Sequence, residues 1–180
     1  IYLVRGYLSE QFDQLLYKYP NIKFIENPAY NEANNISSAM CIRYLLSNSY
    51  VLEGDILLHN PKIIQKYQYQ SNYCGIKVDR TDDWCLFENK GRITGCAVGG
   101  ENCHQMMGIS YWTEEDGRKL GEYIKQVYEM PGGKERYWDQ VSLQYYVNDF
   151  NLVIRECSFD DFIEIDTFNE LKAIDKSYDV

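Results

Sequence analysis

Basic charge is scarce in this chain of 180 residues, where 18 Lys and Arg face 27 Asp and Glu and leave a formal charge of -9. No broad basic surface can form to neutralise a phosphate backbone, which disfavours nucleic acid as a partner. A small phosphorylated ligand held through a metal stays compatible with that balance. Histidine is nearly missing: His59 and His104 lie far apart, without metal-ligand spacing and outside any nucleophile context, so Ser-His-Asp and Cys-His hydrolase chemistry is disfavoured. The cysteines, at 41, 74, 85, 96, 103 and 157, form no CxxC pair, and most sit in apolar segments. That pattern predicts reduced, buried thiols rather than a disulfide frame or a zinc site. Neither a GxxxxGK[ST] loop nor a GxGxxG loop occurs. No apolar run approaches the roughly 20 residues of a membrane span, and Arg5 follows IYLV too soon for a signal peptide. The expectation is a soluble, cytoplasmic protein without a membrane partner, its length suiting one domain over residues 1–180.

What is present is an alternation of short strands and helices. IYLVRG reads as a strand, and Ser9 before Phe12, Leu15 and Leu16 reads as the cap of an amphipathic helix. NIKFIEN is a second strand, NPAYNEANN a turn-rich loop, and ISSAMCIRYLL a helix with Asn34 or Asn35 as N-cap. SYVLEGD returns as a strand, and PKIIQKYQ starts a helix with Pro61 in an allowed first-turn position. After Ser71 the texture becomes YCGIKVD, WCLFEN, ITGCAV and MMGISYW, a partly antiparallel extension with NKGR as a hairpin turn. TEEDGRKLGEYIKQVYEM and ERYWDQVSLQYYV predict helices, NLVIRECS and FIEI short strands, and a last helix runs from about Thr167 through Leu171. GGENC and PGGK read as loops. The order is that of an α/β domain with a mixed, mostly parallel sheet.

Two features invite chemistry. In an open α/β sheet ligands gather at the carboxyl ends of strands. Asp55 stands near such an end in VLEGD, and Glu164 and Asp166 stand near another in FIEID. Carboxylates arriving from separate strands suit an oxygen-ligand site for Mg²⁺ bridging a polyphosphate, while EIDT equally suits the start of the final helix. Gly54 would let the backbone pass close to a ligand. The second feature is aromatic: Trp84 follows Asp82 and Asp83, and Tyr137 and Trp138 precede Asp139. Such faces can hold a quaternary ammonium, and they can equally be core packing.

Taken in order, GYL, NPAYNEANNISSA, VLEGD, DDWCLF, RYWDQ and FIEIDTFNEL resemble the bacterial CTP:phosphocholine cytidylyltransferases of the sugar-nucleotidyltransferase superfamily, over almost the whole chain. The resemblance implies a three-layer α/β/α fold around a mixed sheet, and Mg²⁺-dependent transfer of CMP from CTP to phosphocholine. It makes Asp55 and Asp166 the metal-binding aspartates and gives Glu164 a supporting catalytic role. Asn35 and Ser38 fall where the nucleotide lies, and Trp84, Tyr137 and Asp139 fall where choline is held. Fusion to a kinase or transaminase module fits the family as well.

The family's opening strand and glycine-rich loop, of the type GxGxRxxPxTxxxPK, have no counterpart in these residues. An N-terminally truncated domain is therefore expected, one that alone turns over CTP weakly or not at all. Three alternatives stay open: 2-aminoethylphosphonate or a sugar phosphate as acceptor, a metal-dependent glycosyltransferase whose DxD would be the EGD of Glu53 and Asp55, and a domain that binds nucleotide without reaction.

Overall fold

A computed structural model describes residues 1–178. The chain forms two compact units, each from two segments: Ile1–Ser49 with Trp112–Phe150, and Tyr50–Tyr111 with Asn151–Val180.

In the first unit, β1 (Tyr2–Arg5) pairs in parallel with β2 (Lys23–Glu26). Ser9 does not cap a helix. It lies inside a 3-10 segment, Ser9–Gln14, that leads into a short α1 (Leu15–Lys18). The reason is Arg5, whose guanidinium takes the Ser9 carbonyl at 2.8 Å and the Asp13 carboxylate at 2.5 Å and so winds this stretch tightly. Helix α2 (Ile36–Ile42) starts at Asn35, as expected, but Asn35 makes no side-chain cap. Its Oδ1 instead accepts the Trp138 amide at 2.9 Å.

The expected helix over ERYWDQVSLQYYV is correspondingly shorter: residues 139–140 are helical and Val141–Tyr145 form a π-type turn. The Trp138 amide is committed to Asn35 and the Tyr137 amide to Gln140, so the residues before Asp139 do not coil. The longest helix, α3 (Glu114–Glu129), is capped by Thr113, which accepts the Asp116 amide at 3.3 Å, and opens with three acidic residues that suit its positive end. Leu120, Ile124 and Val127 bury one face. Trp112 closes this core, edge-on to Phe150 at 5.6 Å and to Trp138 at 6.4 Å.

In the second unit, β3 (Ser49–Leu52), β5 (Asn72–Asn89), β6 (Arg92–Trp112) and β7 (Val153–Glu156) form a mixed sheet in the order β3-β6-β5-β7. Strands β5 and β7 run parallel and β5 and β6 antiparallel, the mixture anticipated from sequence. NKGR is the hairpin turn: Lys90 and Gly91 take φ of 54° and 81°, a two-residue loop of the kind that matches strand twist. The predicted strands on either side of it fuse into one long ribbon. GGENC is no loop but part of β6, where Gly99 and Asn102 adopt positive φ and bend the strand.

PKIIQKYQ also departs from expectation. Only Pro61–Ile63 coil, in one 3-10 turn, because just Ile63 has a core to enter, and the Tyr50 hydroxyl draws the Gln65 amide at 3.1 Å and the Gln68 side chain at 2.8 Å. Strand β4 (Ile56–Leu58) pairs antiparallel with β8 (Phe162–Glu164), and α4 (Phe168–Ile174) follows behind a capping box of Thr167 and Glu170. The core here is Ile63, Cys74, Ile76, Met107, Ile109 and Phe162. All six cysteines hold thiols, four of them buried. The Cys157 thiol lies against Cys74, and that hydrogen bond together with burial pushes its pKa up, as suits an inert group. No helix among the described residues is long and apolar enough to cross a membrane.

Two glycines of α3 have a packing role. A Cβ on Gly117 would stand 2.5 Å from the Leu46 carbonyl oxygen, and one on Gly121 would meet the Arg43 carbonyl, so the helix rests directly on backbone. Gly117→Ala gains about 1 kcal/mol of helix propensity but loses about 1–3 kcal/mol to overpacking against a partner that cannot rotate away. The expected net effect is destabilisation by up to about 2 kcal/mol, read as a lower urea midpoint at unchanged slope.

Candidate active site

The β4–β8 pair sets the geometry. Its register places Ile56 opposite Glu164 and Leu58 opposite Phe162. Side chains alternate along each strand, so the buried Phe162 and the half-buried Glu164 share a face while Ile163 is exposed. The Ile165 amide extends the pairing with a 2.9 Å bond to the Asp55 carbonyl. Asp55 thus lies at the head of β4, directly across from the end of β8.

Glu53, Asp55 and Glu164 each bring one carboxylate oxygen to within 4.8 Å of the others. Glu53 arrives from the residue after β3, its amide donating to the Gly108 carbonyl of β6 at 2.9 Å. Asp166 and Asp83 lie close enough to act on Glu53 and Glu164 by like charge. Asp83 is carried in by a break in the β5–β6 register between Thr81 and Trp84, where its amide binds the Thr81 hydroxyl at 3.1 Å and its carboxylate accepts from Gln105 at 3.4 Å.

Burial first, and then neighbouring carboxylates, raise both glutamic acids: Glu53 stands above its ordinary range and Glu164 is pushed up to about 7. The Asp166 amide is held by Glu170 at 2.9 Å, and Thr167 rather than Asp166 caps α4. That leaves the Asp166 carboxylate out of the cap.

Sequence reading named Asp55, Glu164 and Asp166: the fold brings carboxylate oxygens of Asp55 and Glu164 within 4.8 Å of each other, while Asp166 lies outside that cluster and acts on Glu164 by like charge. The same reading assigned no site role to Asp83, whose only signal was adjacency to Trp84, and saw Glu53 only as half of a DxD-like EGD. Nothing lies within 4 Å of a Cβ built on Gly54, so the space beside it is open. Trp84 is half-buried beside Asp83 in this second unit. The remaining candidates belong to the first unit. Ser38 and Ser37 accept from the Asn27 side chain at 3.1 and 2.9 Å, Asn35 holds the Trp138 amide, Tyr137 is exposed and Asp139 is buried. The nucleotide segment and the RYWDQ segment are therefore stitched together by a hydrogen bond.

The raised acids give stability a defined pH dependence. Glu164 binds its proton more tightly folded than unfolded, so its contribution is greatest below the ordinary value of 4.5 and is lost as pH rises through about 7. In chelator, the melting temperature is expected to fall between about pH 5 and about pH 7.5, and Glu164→Gln is expected to flatten that fall in thermal melts.

No family model matches the chain. It is 31% identical over 182 residues to a 2-aminoethylphosphonate cytidylyltransferase of Lancefieldella rimae, covering 99% of this chain and 74% of that protein. It is 27% identical to a choline-phosphate cytidylyltransferase of Haemophilus influenzae, over 97% of this chain and 75% of the relative. Among solved structures, a CTP:phosphocholine cytidylyltransferase of Streptococcus pneumoniae superposes with a TM-score of 0.86 at 24% identity, covering 98% of this chain and 77% of that one. That likeness shows the nucleotidyltransferase fold. The first match, nearly full-length for this chain, shows the family: the chain belongs to the bacterial cytidylyltransferases that include the choline-phosphate and 2-aminoethylphosphonate enzymes.

Proposed function

We propose that the chain transfers CMP from CTP to phosphocholine, forming CDP-choline and pyrophosphate, at the carboxylate cluster of the second unit and with Mg²⁺ as cofactor. The observation that carries this reading is the approach of Asp55 and Glu164, with Asp166 near enough to act on Glu164 by like charge, in a member of a cytidylyltransferase family. The donor set fits the ion. It offers only hard carboxylate oxygens, and those of Asp55 and Glu164 lie within 4.8 Å of each other. Asp55 and Asp166, supported by Glu164, would hold it, and bound there it would neutralise charge on the phosphate oxygens.

The chain's own residues then have positioning work rather than acid–base work. A phosphate oxygen of the acceptor attacks the α-phosphorus in line with departing pyrophosphate, a reaction limited by alignment and charge. Trp84 offers an aromatic face to trimethylammonium, a group without donors that gains roughly 0.5–2 kcal/mol from such a face. In the first unit, Asn35 and Ser38 keep the nucleotide role, and Tyr137 and Asp139 the acceptor role, that the resemblance gives them.

A second acceptor has its own support. The relative at 31% identity is named for 2-aminoethylphosphonate, and a primary ammonium would favour the carboxylates around Glu164 as hydrogen-bond acceptors.

Pyrophosphate release from CTP with each acceptor, measured on the full-length protein with the family's glycine-rich loop in place, separates the two. Phosphocholine is expected to give the higher kcat/KM by about tenfold, or about 1.4 kcal/mol. The opposite order would move the assignment to 2-aminoethylphosphonate, and nucleotide binding without release from either would overturn the catalytic reading. Asp55→Ala is expected to lower kcat by about 10²–10³-fold, the scale of losing one preorganised charge contact. Asp55 is exposed, so its melting temperature should stay near wild type.

A further inference from the structure

Gly108 is unexplained by the strand it occupies. β6 has no turn there and its φ is not left-handed, so nothing in the backbone asks for glycine. The neighbour that does is Glu53. A Cβ built on Gly108 would stand 2.7 Å from Glu53 Cδ and 2.8 Å from its Cγ, and nearer still to one carboxylate oxygen. The space a side chain would fill is taken by the glutamate itself. The same two residues are joined by the 2.9 Å bond from the Glu53 amide to the Gly108 carbonyl. Main chain and side chain of Glu53 are thus seated on one bare position of the neighbouring strand, with the carboxylate turned toward Asp55 and Glu164, each offering an oxygen within 4.8 Å.

That seat carries a cost, since Glu53 is half-buried among Asp55, Asp83 and Asp166. A buried carboxylate without a positive partner is expensive. No Lys or Arg is ion-paired with Glu53, Asp55 or Glu164 among the described residues. A divalent cation would supply the missing charge, and three carboxylate oxygens at this spacing are a donor set for one.

We propose that Glu53 is a third carboxylate ligand of the divalent cation, beside Asp55, and that Gly108 is the positioning residue that keeps it there. The assignment rests on the reading of the Asp55 cluster as the cation site. It places a ligand just past the end of β3, so the ends of β3, β4 and β8 each contribute to the coordination, and it makes a glycine on β6 part of the site's construction.

The two residues give separable variants. Glu53→Gln keeps size and shape and removes the charge. In Gly108→Ala the new methyl meets the mobile end of a side chain, so the carboxylate swings away while the strand stays intact. Mn²⁺ alone is the probe, its binding to the full chain followed by loss of the free-ion electron paramagnetic resonance signal, with metal-free melting temperatures as the control on folding.

Both variants are expected to bind Mn²⁺ about tenfold more weakly or worse, with Asp55→Ala at least as weak, and neither should melt far below wild type in chelator. Wild-type affinity in Glu53→Gln would overturn the proposal, and if Asp55→Ala still lost the ion the cation site itself would stand. Wild-type affinity in Gly108→Ala, beside a loss in Glu53→Gln, would overturn the role of the glycine. No Mn²⁺ binding by wild type would overturn the cation site and this proposal together. Unchanged Mn²⁺ affinity with a raised KM for the acceptor in Glu53→Gln would overturn it too, and reassign Glu53 to the acceptor's ammonium. Should Glu53→Gln not fold, Gly108→Ala decides the same question.

Discussion

Three-residue strands are too short to hold themselves together, yet the whole candidate site hangs on one such pair, β4 and β8. What fastens them is the side of the ribbon that faces inward. Phe162 is 2% exposed and packs with Ile63, Met107 and Ile109, and Ile56 and Leu58 lie against the same cluster. Burial of one such aromatic is worth roughly 1.5–3 kcal/mol, so the ribbon has several kcal/mol to set against the repulsion gathered at its end. Glu164 follows Phe162 by two residues and so inherits its face and part of its burial. The carboxylates are held near one another because apolar neighbours on the same strands have somewhere better to be.

Much of the fold could be read from residues because local pattern and final packing agree. The NKGR turn needed two positive φ angles and had the residues for them, and α3 carried its cap, its acidic first turn and its buried stripe in plain order. Where the reading failed, a side chain outside the segment had taken one of its backbone groups. Arg5 reshaped the stretch after Ser9, Asn35 left its cap to hold Trp138, and Tyr50 captured the polar run after Ile63. The Asn35–Trp138 bond spans 103 residues and is out of reach of any local window, while the Arg5 and Tyr50 bonds are nearer in sequence but leave no trace in hydrophobic period or cap pattern.

The site divides in the same way. Asp55, Glu164 and Asp166 could be found because they stand at strand ends, which is where such a sheet collects ligands. Glu53 and Asp83 depend on tertiary placement: one on a glycine opposite it in β6, the other on a register break in β5. Gly54 drew attention as the glycine nearest the acidic pair, whereas the glycine against the Glu53 side chain is Gly108, distant in sequence.

The pairing of β4 with β8 also says something about the order in which the molecule is built. Leu58 and Phe162 meet only after a very long stretch of chain has been closed into a loop, and the entropy of that closure is met before any contact within the ribbon returns it. The long β5–β6 hairpin, joined by two residues, has no such delay. The acidic centre therefore waits on a long closure that the hairpin does not need, and a cation binding only the finished centre would draw the chain toward its native state by mass action.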